Sequence, residues 1–290
     1  MNKKIGLSIV FVLLTLLLTG CGLFGPKVPP TPTAEPTPTE LPMALKVNGE
    51  GILLEDYQAE LQRFLDAQAK KGNSSTPEQA KQAVTGYLQN DLLLAQGAAE
   101  QGYFVDQAAL EARFSALVEK VGGMDKVNAW MAANHFDLNS FKRVLARQMA
   151  AEWMEKKIAD SAPTTGEQVH ARQILFKNEG EAAAVKAQMD AGGDFKTLAF
   201  QYDKLTGGDL GWFPRGYLFQ PDVENAAFSL QPGQISAVIK TSYGWHLVQV
   251  IERNEAYPLP AEFRLKLQHQ LVEEWLAQRI ASSTIEVIVP

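Results

Sequence analysis

The chain has 290 residues, 46% of them hydrophobic, with 33 acidic side chains against 27 basic ones and a formal net charge of −6. That length exceeds one typical domain, and that share of apolar residues is ample for packed cores. The acidic balance gives no footprint for nucleic acid, and the single cysteine, Cys21, excludes an internal disulfide.

Lys3 and Lys4 precede an apolar run from Ile5 to Leu18, and Leu18-Thr19-Gly20-Cys21 follows. A charged start, a short apolar stretch and small residues make a secretion signal, and the stretch is too short for a comfortable membrane span. It resembles a bacterial lipoprotein signal, which implies that residues 1–20 are removed and that Cys21 is lipidated as the mature N-terminus. Loss of Lys3 and Lys4 takes the charge from −6 to −8. Such a protein has little attraction to anionic headgroups, so lipid is the expected anchor. Residues 21–43 then form a tether in which Pro26, Pro29, Pro30, Pro32, Pro36, Pro38 and Pro42 oppose helix and sheet alike. Some twenty extended residues reach on the order of 60 Å.

From residue 44 to 162 helices are expected to dominate. Ala44 to Glu50 reads as a short strand with Leu45 and Val47 on one face, ending in an Asn48-Gly49 turn. Tyr57, Leu61, Phe64 and Leu65 make an apolar stripe at helical spacing. Thr76-Pro77-Glu78-Gln79 marks a helix start, with threonine as cap, proline at the first turn and Gln79 three residues on. That helix carries Val84, Leu88 and Leu92, and Gly102 can close it. Asp106 opens the next, Val127, Trp130 and Met131 mark a shorter one, and a long helix starts near Asp137. No metal-ligand cluster is present in this stretch; His135 stands alone and reads as a surface or capping residue.

Past Ser161 to Gly166, a hinge, the pattern becomes strand, helix, helix, loop, helix, strand, strand. Val169 to Phe176 alternates as a strand, Ala182 to Met189 is helical, and Asp194 caps a short helix. Pro221 begins a helix holding Val223, Ala227 and Phe228, while Ile235 to Ile239 and Trp245 to Ile251 are apolar strands. Beyond Arg253, Phe263, Leu267, Leu271 and Trp275 recur every four residues, and Ile285, Val287 and Val289 alternate to the end. A lone terminal strand needs an edge to pair with. The fold class is α+β, with helices against small antiparallel sheets.

Within the second region lies Gly207-Gly208-Asp209-Leu210-Gly211-Trp212-Phe213, followed by a Pro232-Gly233-Gln234-Ile235-Ser236 turn and by Tyr243-Gly244-Trp245-His246-Leu247-Val248. With Asp194-Phe195 and Asn225-Ala226-Ala227-Phe228, these residues make the segment 166–254 resemble the parvulin-type peptidyl-prolyl isomerase domain. More loosely, residues 44–162 resemble the N-terminal chaperone domain of PrsA- and SurA-like foldases. In that family the tail, here 257–290, returns to complete the helical domain, so the parvulin unit is expected as an insertion. The resemblance implies a membrane-anchored extracytoplasmic foldase, with no cofactor and no metal. Its partners would be unfolded or partly folded secreted polypeptides and proline-containing segments, and the membrane through lipid on Cys21.

The resemblance implies a proline pocket of Leu210, Leu218, Val223 and Phe228, and makes His246 one of two histidines behind it. Three departures stand out. Gln173 occupies the place of the second histidine, in Gln173-Ile174-Leu175. The loop before Gly207 is short, with Asp203 the displaced stand-in for the family's rim acid. Val223 stands where the family has phenylalanine. His170 does not replace the missing histidine, because an offset of three puts it on the opposite face of the strand. The expectation is that the network around His246 lacks a partner, and that peptide binding survives better than turnover. A fully active prolyl isomerase and a structural surface lipoprotein are the alternatives.

Overall fold

In the computed structural model, which describes residues 41–289, Asn48 and Gly49 take left-handed backbone with φ of 53° and 85°. They turn β1 (Met43–Val47) back into β2 (Glu50–Leu53) as an antiparallel hairpin. The sequence suggested the first strand and its turn but not the second, whose four residues carry too short a pattern to be read alone. The lipidation site Cys21, the leader and most of the tether lie outside the described residues.

The helices α1 (Leu54–Lys70), α2 (Pro77–Glu100), α3 (Gln107–Val121), α4 (Met124–Ala133) and α5 (Leu138–Asp160) follow. Their starts are set locally. Thr76 Oγ1 accepts from Gln79 N–H at 3.2 Å while Gln79 Oε1 accepts from Thr76 N–H at 2.9 Å, a reciprocal box that satisfies two otherwise unpaired donors. Asp106 and Asp137 cap α3 and α5 in the same sense. His135 takes left-handed backbone, φ 58°, beyond the end of α4, and its Nε2 lies 3.3 Å from Asp66.

β3 (Thr165–Phe176) is followed by α6 (Glu179–Asp190), α7 (Phe195–Tyr202), β4 (Asp209–Pro214), α8 (Pro221–Ser229), β5 (Ile239–Thr241) and β6 (Gly244–Pro258). The sheet order is β4-β3-β6-β5, all antiparallel. One expected strand is corrected here. Of residues 235–239 only a single bridge, Ile235 to Gln249, forms before β5 starts at Ile239. The cause is Ser236, whose hydroxyl accepts the Val248 N–H at 3.0 Å in place of a backbone carbonyl. A ladder cannot stay regular through such a substitution.

α9 (Ala261–Ser282) and β7 (Ile285–Val287) close the chain. β7 pairs antiparallel with β1, giving a second sheet of order β2-β1-β7. Its apolar neighbours are Leu45, Val47, Ile52, Val84, Leu88 and Leu92. α9 lays Leu271, Val272 and Trp275 against Ala151, Met154 and Ile158 of α5. The α2–α5 contact also holds a buried ion pair: Arg147 Nε donates to Asp91 at 2.5 Å, with the two side chains 13% and 7% exposed. Burial raises the Asp91 pKa, and Arg147 opposes that shift.

Candidate functional site

Side chains alternate along a strand, so Val169, Ala171 and Gln173 share one face of β3. Val169 and Ala171 pack there with Val248 and Val250 of β6 and with Phe213, Val223, Ala227 and Phe228. The opposite face buries Ile174, Phe176 and Leu247 under α6 and α7. A helix on each face thus leaves Gln173 and His246 next to each other at the edge of the α8 layer.

The double glycine makes that edge possible. Gln173 N–H donates to Gly208 C=O at 2.9 Å, and Gly208 has φ 70°. A Cβ there would run into the Gln173 carbonyl oxygen, so only glycine lets the loop close on the strand. The β3–β4 register shifts between Ala171 and Arg172, pairing them with Gly211 and Asp209. Leu210 is bulged out of the ladder and packs on the α8 cluster.

His246 is 1% exposed. Its Nδ1 lies 2.9 Å from Gln173 Oε1 and its Nε2 lies 2.9 Å from Thr241 Oγ1. With an amide oxygen at Nδ1, that nitrogen carries the proton, and Nε2 accepts from the Thr241 hydroxyl. Burial pushes the His246 pKa below its ordinary value of 6.5, so the ring is neutral at pH 7. The expectation of a histidine without a partner is therefore corrected. Glutamine occupies the second position and satisfies the ring, because its amide can offer the acceptor a neutral imidazole N–H needs.

The four apolar residues named from the resemblance are brought together. Val223 and Phe228, 1% and 4% exposed, lie beneath Leu210 and Leu218, which are partly buried. The loop carrying Leu218 is fixed by a residue that the sequence did not single out. Glu224 is 7% exposed and accepts from the N–H groups of Gly216, Tyr217 and Leu218 at 2.6, 2.9 and 2.9 Å. An acid just inside a helix start reads as a partner for the helix dipole. Its reach to three amides of the preceding loop is non-local, and only the acid's place after Pro221 hints at it. Thr241 was missed for the same reason.

Asp203 is placed elsewhere. Its carboxylate accepts from Leu205 N–H at 2.9 Å, Thr206 N–H at 3.2 Å and Gly208 N–H at 3.3 Å, and from the Thr206 hydroxyl. The Thr206 hydroxyl, then the Leu205 and Thr206 amides, bring its pKa down to about 2. Its hydrogen bonds are all within this turn, so it shapes the loop before Gly207 and makes no bond to His246. His170 pairs with Asp209 at 2.8 Å and lies beside Trp212. Burial raises the Asp209 pKa, but the Gly211 N–H and His170 outweigh it and leave the carboxyl below its ordinary value.

Such a site can do chemistry that makes and breaks no covalent bond. Rotation about an amide faces a barrier of roughly 18–20 kcal/mol, set by its conjugation. An apolar wall and a neutral ring held between two hydrogen bonds suit that task. Among the described residues no group of three or more His, Cys, Asp or Glu could hold a metal, and no helix is long and apolar enough to cross a membrane. A cleft of about 580 Å³ lies elsewhere, between the turn at Asn48 to Glu50, α2 and the end of α9. Across it Asn48 donates to Gln96 and Arg279 donates to Glu100, two separate pairs that mark it as a joint between elements.

Residues 146–263 match the family described as the PPIC-type PPIASE domain. The chain therefore carries a parvulin-type domain over that segment. It is 32% identical over 154 residues to foldase protein PrsA of Geobacillus sp. (strain WCH70), covering 50% of this chain and 55% of that protein. It is 39% identical over 127 residues to chaperone SurA of Burkholderia lata, covering 39% of this chain and 27% of that protein. The chain thus spans about half or less of the length of these curated relatives. A crystal structure of peptidylprolyl isomerase PrsA from Bacillus cereus aligns over 80% of this chain and 83% of its own, at 22% identity and a TM-score of 0.44.

Proposed function

We propose that this protein is an extracytoplasmic foldase, anchored to the membrane by lipid on Cys21, that holds secreted polypeptides and offers their proline segments to a parvulin-type site. The observation that carries the reading is the convergence of Leu210, Leu218, Val223 and Phe228 beside the Gln173–His246–Thr241 chain of hydrogen bonds. In this reading the four apolar residues grip the proline ring. The neutral His246 fixes the polar side of the groove, and Gln173 and Thr241 position it. No residue attacks the substrate. The amide loses conjugation as it twists, and a dry, apolar surround disfavours the planar, charge-separated form.

Turnover is slow in this reading while binding is retained. Val223 covers less of a proline ring than phenylalanine would, and Asp203 is engaged in its own turn instead of bordering the reacting bond. Each tenfold loss of rate is only about 1.4 kcal/mol of barrier, so two such changes suffice. A second reading, a fully active isomerase, is favoured by the satisfied His246, which has a partner at each ring nitrogen.

One pair of assays separates them. NMR exchange on a proline tetrapeptide measures isomerisation, and light scattering on an aggregating client measures holding. Expected are a low rate that rises about tenfold in Val223→Phe, and holding that persists in His246→Ala. A high parent rate abolished by His246→Ala would establish the active enzyme; failure in both assays would leave a structural surface lipoprotein. For the anchor, Cys21→Ser should release the protein from membranes with its folded part intact.

A further inference from the structure

Asn48 and Gly49, with φ of 53° and 85°, make the left-handed Asn-Gly turn that a tight hairpin favours. The asparagine does more than turn the chain. Its Nδ2 donates to Gln96 Oε1 at 2.9 Å and to Ser283 Oγ at 3.1 Å, and its Oδ1 accepts from the Thr284 N–H at 3.0 Å. Its own N–H donates to the Thr284 carbonyl at 2.8 Å. One residue thus ties the first hairpin to α2 and to the corner where α9 passes into β7. Asn48 is nonetheless exposed, and it lines the cleft of about 580 Å³.

We propose that Asn48 is a deamidation site, held silent by the docked tail and modified irreversibly once the tail leaves. The chemistry needs only water. The Gly49 nitrogen attacks the Asn48 Cγ and gives its proton to solvent, and the side-chain amide leaves as ammonia. Water then opens the cyclic imide at either carbonyl, giving aspartate or the isomer whose backbone runs through the side-chain carboxyl. Glycine suits the attack because no Cβ crowds its nitrogen. In the fold the step is blocked: Cγ cannot turn onto the next peptide nitrogen while the amide reaches out to Gln96, Ser283 and Thr284. At roughly fivefold for each bond that must first be lost, the fold slows the reaction about a hundredfold. The product does not fit the vacated place. Gln96 Nε2 is engaged by the Val47 carbonyl at 2.9 Å and by Glu50 at 3.1 Å, so its Oε1 stays turned toward position 48. A carboxylate there sets acceptor against acceptor, and adds negative charge to a cleft already lined by Glu50 and Glu100. The isomer also lengthens the backbone inside the turn that pairs Val47 with Glu50. Either product weakens the corner that holds β7 on β1.

The test incubates the purified full chain in mildly alkaline buffer, folded or in urea, and follows the amide-to-acid exchange at residue 48 by peptide mapping and mass spectrometry. Expected is a rate about a hundredfold lower in the folded chain, rising about fivefold in Gln96→Ala and in Ser283→Ala with circular dichroism unchanged. The deamidated fraction, separated from the parent by ion exchange, and Asn48→Asp should both exchange the amides of Ile285 to Val287 faster than the parent, with the β3–β6 amides unchanged. Equal rates in the folded and unfolded chain, a folded rate unmoved by both acceptor substitutions, or unchanged exchange at β7 in the deamidated fraction would overturn the proposal. If Asn48→Asp does not fold, the deamidated fraction of the parent alone decides the last point.

Discussion

Gln173 shows how one residue changes the meaning of its neighbour. Compared with a histidine pair, a glutamine cannot take a proton, so the His246 ring faces an amide of fixed charge. Burial keeps the His246 pKa below its ordinary 6.5. Between the folded value and 6.5 the unfolded chain binds a proton that the folded chain refuses. Stability is therefore complete above about pH 6.5 and is lost as pH falls through that window, at up to roughly 1.4 kcal/mol per pH unit. Urea unfolding from pH 7.5 to 5 should show a flatter profile for His246→Gln than for the parent; parallel profiles would mean the ring is not held neutral. The apolar side chains and His246 were legible because a glycine motif fixes their offsets. Thr241 and Glu224 were not, since what makes them matter is a turn and a loop that reach back several residues in space.

At the scale of elements, local chemistry was the more readable part. The Thr76 and Asp137 boxes and the Asp106 and Asp194 caps start four helices where their side chains said they would. Strand limits were less legible, because they depend on a partner. Ser236 breaks the ladder of an apolar stretch that alternates well enough, and β6 runs to Pro258 because β3 pairs with it as far back as Thr165. The GGDLG turn lies between these cases, its glycines readable but their purpose visible only against β3. Gly208→Ala should cost at least about 2 kcal/mol, combining left-handed backbone with a clash on Gln173. Chemical denaturation checks the size, and hydrogen exchange at Gln173 checks the place, since its N–H donates to Gly208. Gly102→Ala, also at positive φ but with open space around it, is the control and should lose less.

Among the described residues the first and last strands meet: β7 pairs with β1, and α9 packs on α5. Truncation after Arg253 removes both, together with Tyr257, whose ring stacks on Trp212 at 4.4 Å. Residues 44–160 should then lose amide protection and aggregate, as measured by hydrogen exchange and light scattering; well-protected amides there would count decisively against a helical body completed by the tail. Nor should residues 166–254 be cut out as they stand, because the β3–β6 ladder extends from Thr165 to Pro258. A fragment of residues 164–263 keeps that ladder whole and should fold.

Such a fragment would still lack part of its grip. It keeps Glu262, which accepts from the Tyr217 hydroxyl at 3.0 Å, and Phe263, whose ring meets Tyr217 edge to face, but loses Lys266, which donates to the Gly216 carbonyl at 3.0 Å. The loop that aims Leu218 and Phe219 is thus held from within by Glu224 and from without by the first turns of α9. Each outer contact contributes only about 0.5–1.5 kcal/mol. A clasp this weak yields before the elements it joins, so the loop at Gly216–Leu218 is the part expected to loosen first when α9 is displaced.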